Sequence, residues 1–131
     1  LMLALGNAVR QGLVRACHDL SEGGLGVALA EMGFGGGLGC MVSLRKVPGA
    51  QRFRRDGYLL FSESNTRFLC EVPVARRASF ERLMRNIPHG MIGRTQAEPV
   101  LGIVGLHNDE IVRLDSGEAG KVWSRALTRR L

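Results

Sequence analysis

The sequence is poor in cysteine, proline and aromatic residues, and it has no long apolar run. Its 131 residues include four prolines, one tryptophan and only three cysteines, which are Cys17, Cys40 and Cys70. These cysteines stand singly among apolar neighbours and without CxxC spacing, which favours buried thiols over a disulfide framework or a zinc site. No apolar stretch reaches the roughly 18 residues of a membrane span, and no secretory leader pattern is present. We therefore expect a soluble, cytoplasmic protein with no disulfide, no metal site and no membrane partner.

The charge is basic, but it is dispersed along the chain. Eighteen lysines and arginines stand against 12 aspartates and glutamates, a net charge of +6 that raises the question of a polyanionic partner. The few aromatic residues are not interleaved with basic ones, as they would be in a surface that stacks bases. A solvated basic surface is the commoner origin of such charge runs, so we expect no nucleic-acid partner.

The length predicts one domain, residues 1–131, and there is no internal repeat or linker. Hydrophobic periodicity predicts helices over 2–14, 22–34, 75–86 and from Ser116 onward. Period-2 patterns predict strands over 39–44, 67–73, 90–95, 99–105 and 110–114. Residues 58–64 fit either a short strand or a helical turn. This order predicts the α+β class, with helices packed on a mixed sheet.

Two of these helices have identifiable packing faces. In the helix over 75–86, the side chains predicted to point inward are Phe80, Leu83 and Met84. In the last helix the hydroxyl of Ser116 is predicted to cap the first turn. Its packing face is predicted to consist of Val122, Trp123, Ala126 and Leu127.

The stretch "ACHDLSEGGLGVALAEM" (16–32) places polar residues and two glycines before an apolar helical run. The first N–H groups of a helix lack intrahelical partners, and glycines let an anion approach them. The N-terminus of this helix is therefore a candidate phosphate-binding site. The candidate residues are His18, Asp19, Ser21, Gly23 and Gly24. Glu22 would oppose an anion there. A structural explanation stays open, in which Ser21 or Asp19 caps the helix, the glycines allow tight packing and His18 bonds in the core.

The stretch "SESNTR" (62–67) is the second polar cluster, and its candidate residues are Glu63, Ser64 and Asn65. One carboxylate beside neutral hydrogen-bonding groups suits ribose hydroxyls or an amide-bearing ligand. A turn with local backbone bonds is the alternative, and it also stays open. No nucleophile and base stand together in the sequence, so we predict no catalytic residue in this chain.

The motifs "HDLSEGGLGVALAEM" and "LFSESNTRFLCEVP", in this order, resemble the C-terminal domain of the AIR-synthase-related superfamily. Within it they resemble the phosphoribosylformylglycinamidine synthases of purine biosynthesis. The resemblance covers nearly the whole chain, including "GFGGGLGC" and "FERLMRNIPHGMIGRT". It implies a three-layer α+β domain, a mixed sheet flanked by helices and partly similar to ferredoxin-like topology. The resemblance further leads us to expect that the strand preceding the first helix in the family domain is not part of this sequence.

The resemblance also implies a function. The family enzyme is an ATP-dependent ligase that converts formylglycinamide ribonucleotide and glutamine-derived ammonia to formylglycinamidine ribonucleotide. Its ATP and magnesium are bound mainly by a preceding domain, so the isolated domain is expected to be inactive. The implied partners are that ATP-binding domain, an internal repeat of the same enzyme, a glutaminase subunit and a small accessory subunit.

Carried over by position, the first cluster is a loop near nucleotide or phosphate, formed by His18, Asp19, Ser21, Gly23 and Gly24. The second is a loop near the substrate, formed by Glu63, Ser64 and Asn65. Asn65 replaces a glutamine of the substrate-contacting copy of the domain, and the first motif looks more like the second copy. Two alternatives remain open: another superfamily member, of the selenophosphate synthetase or hydrogenase-maturation type, or a free-standing, non-catalytic binding or assembly module.

Overall fold

The computed structural model describes residues 1–128, with side chains described through residue 125. The helices of this part are α1 (Met2–Arg10), α2 (Gly24–Gly36), α3 (Asp56–Phe61), α4 (Arg77–Leu83) and α5 (Ser116–Thr128). The strands are β1 (Ala16–Asp19), β2 (Gly39–Ser43), β3 (Phe68–Glu71), β4 (Gly93–Gln96), β5 (Val100–Val104) and β6 (Glu110–Asp115). Short 3-10 turns occupy Leu44–Lys46, Ala50–Arg52 and Val74–Arg76.

The strands form two sheets. β1 and β3 pair antiparallel as a two-stranded ribbon, in which Asp19 lies opposite Phe68. The other four strands form a mixed sheet in the order β4-β2-β5-β6, in which only β2 and β5 run parallel. The predicted α+β class with a mixed sheet is confirmed, and the β1-β3 ribbon forms a second, separate sheet.

Two apolar clusters hold the elements together, and the ribbon separates them. The larger cluster packs α2 and α3 against the inner face of the four-stranded sheet, with Leu29, Leu59 and Ile103 among its buried members. The smaller cluster lies between α1, α4 and β3. Successive strand residues point to opposite faces, so Leu69 of β3 packs on the larger cluster while Phe68 packs on the smaller one. The ribbon is therefore fixed from both sides.

Several predicted boundaries are corrected by the structure. Residues 16–19 form a strand where the sequence suggested a loop, and the following helix begins at Gly24 instead of residue 22. The ambiguous segment is helical up to Phe61 and extended at Ser62. The helix predicted over 75–86 is shorter and follows a 3-10 turn. Its inward face is confirmed, since Phe80, Leu83 and Met84 all belong to the smaller cluster.

The start of α5 differs from its prediction. The Ser116 side chain is 3% exposed, and its hydroxyl donates to the Leu38 carbonyl oxygen at 3.0 Å instead of capping the helix. The cap is Asp115, whose Oδ1 accepts a hydrogen bond from the Glu118 N–H at 2.9 Å. Asp115 precedes the helix directly, in the position where a carboxylate reaches the third helical amide.

The predicted packing face of α5 is only partly confirmed. The Trp123 ring lies 6.2 Å from the Phe34 ring of α2, so this residue packs although it is 45% exposed. Val122 is 67% exposed, which makes its assignment to that face wrong. The side chains of Ala126 and Leu127 lie outside the described residues.

The exposure of the cysteines and the length of the helices can be compared with the expected buried thiols and the expected lack of a membrane span. Cys40 is buried and Cys70 is half-buried, but Cys17 is exposed, so the expectation of buried thiols is wrong for Cys17. Within residues 1–128, none of the helices combines the length and the apolar character that crossing a membrane requires.

Candidate functional site

The two polar motifs meet at one end of the β1-β3 ribbon. The first motif leaves β1 after Asp19, and the second enters β3 at Phe68, the residue directly opposite. One further backbone bond, from the Leu20 N–H to the Arg67 carbonyl oxygen at 3.0 Å, extends the pairing into the loops. The loops enclose a cleft of about 390 Å³ that is lined by residues 19–22 and 63–68. The antiparallel pairing thus brings together two segments that are far apart in the sequence.

A side chain of the second motif binds the entrance of helix α2. Glu63 Oε1 accepts a hydrogen bond from the Gly23 N–H at 2.9 Å, directly before the helix begins at Gly24. Neither Ser21 nor Asp19 bonds to this helix end, so the explanation in which they cap it is wrong. The contact resembles the carboxylate-to-amide half of a capping box, with its acceptor supplied by another segment. The negative carboxylate is also favoured by the helix dipole at this end.

Gly24 is required by the close approach of α3 to α2. Its φ is +62°, and a Cβ atom there would lie 2.7 Å from both the Leu60 and the Ser62 carbonyl oxygens. Gly23 is also left-handed, and a Cβ atom there would meet the Val27 side chain. The alternative in which the glycines allow tight packing is therefore confirmed. The space that an anion would need beside Gly24 is occupied by protein backbone.

Asp19 and Ser21 are exposed in the cleft and bonded to each other. The Ser21 hydroxyl donates to Asp19 Oδ2. This hydrogen bond, helped by the backbone of Asp19 and by the neighbouring His18, holds the pKa of the Asp19 carboxyl below its ordinary value. The hydrogen bond therefore favours the carboxylate form of Asp19 over the protonated form.

His18 lies on the ribbon but outside the cleft. Its Nε2 is 2.8 Å from Glu31 Oε2 of α2, and its Nδ1 is 2.6 Å from the Asp19 carbonyl oxygen. The contact with Glu31 ties β1 to α2. Of the predicted residues, the structure thus collects Asp19, Ser21, Glu63, Ser64 and Asn65 in the cleft. Gly23 and Gly24 lie behind it at the start of α2, and His18 supports it from the side.

The charge of the cleft determines which ligands it fits. Three carboxylates line it, Asp19, Glu22 and Glu63, against the single guanidinium of Arg67. Arg67 Nη2 donates to the Ser62 carbonyl oxygen, and burial lowers the pKa of Arg67. A phosphate fits this donor set poorly, since its charge would face the carboxylates and the Gly23 amide already has an acceptor. Hydroxyls and amide N–H groups fit well, because carboxylate oxygens accept their hydrogen bonds.

Arg67 was not among the residues predicted from the sequence, although it is the one basic residue of the second motif. Its position between a polar loop and a strand was the sequence feature that could have marked it as a residue of the site. Among the described residues, no three His, Cys, Asp or Glu side chains are grouped in a way that could hold a metal ion.

Comparison with known proteins defines the class of this domain. Residues 1–105 match the family model described as AIR synthase related protein, C-terminal domain. The chain belongs to this family. The match covers the strands and helices that build the cleft and supports the fold expected from the two motifs.

More specific similarity is to one enzyme subunit. The chain is 37% identical, over 127 residues, to phosphoribosylformylglycinamidine synthase subunit PurL of Synechococcus elongatus. The match covers 94% of this chain but 16% of that protein, so the chain spans a small part of its curated relatives. Among solved structures, T. maritima PurL complexed with FGAR matches this chain with a TM-score of 0.78 and 25% sequence identity. The match covers 88% of this chain and 19% of the T. maritima chain.

Two further solved structures have a similar fold. T. maritima PurL has also been solved in complex with ATP, at a TM-score of 0.78, 25% identity and coverage of 88% of this chain and 20% of that one. Hydrogenase maturation protein HypE in complex with ATP has a TM-score of 0.67 at 18% identity, covering 85% of this chain and 39% of that one. At this identity the likeness to HypE shows the fold alone.

Proposed function

We propose that this chain serves as the C-terminal AIR-synthase-type domain of a phosphoribosylformylglycinamidine synthase of the PurL type. The complete enzyme would convert formylglycinamide ribonucleotide, ATP and ammonia to formylglycinamidine ribonucleotide in purine biosynthesis. The similarity to PurL over nearly the whole chain supports this assignment. The observation that carries it is the bond between Glu63 and the Gly23 amide, because it joins the two family motifs into one cleft.

The cleft is proposed to contact the neutral polar part of the substrate ribonucleotide. Ribose hydroxyls or the glycinamide N–H groups would donate to Asp19 and Glu63, while Ser64 and Asn65 offer both donors and acceptors. The similarity to a PurL solved with FGAR supports this ligand class. The first loop, with His18, Ser21, Gly23 and Gly24, would lie beside the nucleotide and shape the cleft without providing phosphate donors.

ATP and magnesium would be bound by other parts of the enzyme. The excess of carboxylates in the cleft does not fit the triphosphate of ATP. The isolated domain is therefore proposed to be inactive and to act only beside an ATP-binding domain and the internal repeat of the same enzyme. Ammonia would come from a glutaminase subunit with the help of a small accessory subunit, in the cytoplasm.

Binding and kinetics together test this proposal. Titration calorimetry of the 131-residue chain with formylglycinamide ribonucleotide, ADP and ATP, with and without magnesium, should show saturable binding of the ribonucleotide alone. Glu63→Ala should weaken that binding by about tenfold, which corresponds to about 1.4 kcal/mol. Glu98→Ala, which removes an exposed carboxylate outside the cleft, should leave binding unchanged.

The same pair of variants in the complete enzyme gives the second readout. Glu63→Ala is expected to raise the KM for formylglycinamide ribonucleotide, whereas the KM for ATP should stay the same. An unchanged KM for the ribonucleotide would contradict the proposed role of Glu63. Tight binding of ATP by the isolated chain would contradict the proposed division between domains.

A further inference from the structure

Two cysteines face each other across the β1-β3 ribbon. Cys17 lies directly opposite Cys70, and their sulfur atoms are 3.6 Å apart. The Leu20 N–H bonds to the Arg67 carbonyl oxygen. Because hydrogen-bonded and non-hydrogen-bonded pairs alternate along an antiparallel ladder, the cysteine pair is non-hydrogen-bonded, the kind in which opposite side chains approach most closely. The contact therefore follows from strand register.

The two thiols have different surroundings. Cys17 is exposed, while Cys70 is half-buried and belongs to the rim of the smaller apolar cluster. Burial, followed by the nearby Cys17, raises the pKa of Cys70 to about 12. A soluble oxidant therefore meets Cys17 first, with the Cys70 thiol held behind it. The remaining cysteine, Cys40, is buried in the larger cluster on the four-stranded sheet.

We propose that Cys17 and Cys70 are a modification site at which a hydroperoxide produces an intramolecular disulfide. The peroxide transfers one oxygen to the Cys17 sulfur, giving a sulfenic acid and one molecule of water. The Cys70 sulfur then attacks that sulfur, so that the S–S bond forms as the S–O bond breaks. The proton of Cys70 leaves with the hydroxyl as a second water. In total, two thiols are oxidised by one hydrogen peroxide, which is reduced to two waters.

The geometry requires only a local adjustment. A disulfide has a sulfur–sulfur distance of about 2.05 Å, so the two sulfur atoms must approach by roughly 1.5 Å from their present separation. Rotation of the Cys17 side chain can supply much of this movement, because this residue is exposed. The backbone pairing already places the two residues at the same level of the ribbon.

The position of the pair gives the bond a consequence for the cleft. Both loops leave the ribbon at the paired residues Asp19 and Phe68. Cys17 lies two residues before Asp19, and Cys70 lies two residues after Phe68. A disulfide at this level would fix the separation of the two strands that carry the loops. Oxidation is therefore expected to slow amide hydrogen exchange of the ribbon and to raise the thermal unfolding midpoint.

The test is a peptide map of the 131-residue chain after exposure to hydrogen peroxide, with the remaining thiols blocked by N-ethylmaleimide in denaturant. The expected product is a peptide linked between Cys17 and Cys70, with Cys40 blocked and free of any linkage. Peroxide treatment of the unfolded chain in urea should greatly reduce the yield of this link. Cys17→Ser should abolish it, whereas Cys40→Ala should retain it.

Other products would overturn the proposal. A sulfinic acid at Cys17 with Cys70 still free would show that the pair does not close. A disulfide between the Cys17 residues of two chains, or a bridge to Cys40, would do the same. The peptide map of the wild-type chain distinguishes all of these products and does not depend on the folding of any cysteine variant.

Discussion

Glu63 accepts a hydrogen bond from the Gly23 N–H at 2.9 Å, although 40 positions separate the two residues in the chain. This contact gives the positive end of helix α2 a protein carboxylate as its partner. A helix N-terminus is often an anion site, but here its first donor is already used. The cleft beside it is also lined by Asp19 and Glu22, whose carboxylates can accept hydrogen bonds from hydroxyl and amide donors.

Glu63→Ala is expected to lower the free energy of unfolding by about 1 kcal/mol, because the Gly23 amide loses its acceptor at the start of α2. Glu63→Gln keeps an acceptor oxygen and should recover most of this loss. Urea denaturation of the two variants and the parent chain measures the difference. Equal losses in the alanine and glutamine variants would show that charge, and not the hydrogen bond, is the source of the stabilisation.

Gly24→Ala should be much more destabilising than the same change at Gly37. Both residues have a left-handed φ, which costs alanine about 1 kcal/mol. At Gly24 the new Cβ would also lie 2.7 Å from two backbone oxygens, whereas at Gly37 nothing lies within 4 Å. We expect a loss of about 2 to 5 kcal/mol for Gly24→Ala and about 1 kcal/mol for Gly37→Ala.

Thermal and urea unfolding of both glycine variants check this comparison. The Gly37 variant controls for backbone strain without a steric contact, so the difference between the two losses isolates the contact with α3. Similar losses at the two positions would mean that α3 can move away from α2 at little energetic cost, and that Gly24 is not needed for their close packing.

The strand that organises the site was not predicted from the sequence. β1 consists of "ACHD", in which half-buried and exposed positions alternate and no large apolar residue appears. Its pairing with β3 depends on a partner 53 residues away, at the level of Cys17 and Cys70. Local periodicity carries no information on such a partner, so the segment resembled a polar helix entrance. The longer elements were predictable because their apolar residues repeat within one segment.

The two polar segments of the candidate site were predicted from the sequence, but the contacts that join them were not. The residue types of both motifs marked them as polar clusters, and residues from both do line the cleft. Tight packing at the glycines was one of the predicted alternatives, but the sequence did not indicate that α3 is the element packed against Gly24 or that Glu63 bonds to Gly23. His18 likewise turned towards Glu31, a partner on the next helix that the sequence alone did not indicate.

At the start of α5, the helix-capping role of Asp115 can be tested against the role of the buried Ser116 hydroxyl. Asp115→Ala should remove the bond to the Glu118 amide, lowering stability by about 1 kcal/mol and speeding amide exchange in the first turn of α5. Ser116→Ala should destabilise by a similar amount through the lost bond to Leu38, without loosening that turn. Hydrogen exchange separates the two, and Asp115→Asn should preserve protection of the first turn. Faster exchange in the Ser116 variant would contradict the assignment of Asp115 as the cap.

The hydroxyl of Ser21 should control the titration of Asp19. Its bond lowers the pKa of Asp19, so the carboxylate is favoured in the folded state. The resulting stabilisation is present above the ordinary aspartate pKa of about 3.9 and is lost as the pH falls through the lower, folded pKa. Ser21→Ala should therefore raise the pKa of Asp19, which carbon NMR of the carboxyl group can follow.

Ser64→Ala is the matched control for this titration, because the Ser64 hydroxyl bonds to Ser62 and not to Asp19. It removes a hydroxyl from the same cleft and should leave the Asp19 titration where it is in the parent chain. If both serine variants shifted the titration equally, the low pKa would come from the general polarity of the cleft. A shift in the Ser21 variant alone would assign the low pKa to the hydrogen bond that the Ser21 hydroxyl donates to Asp19.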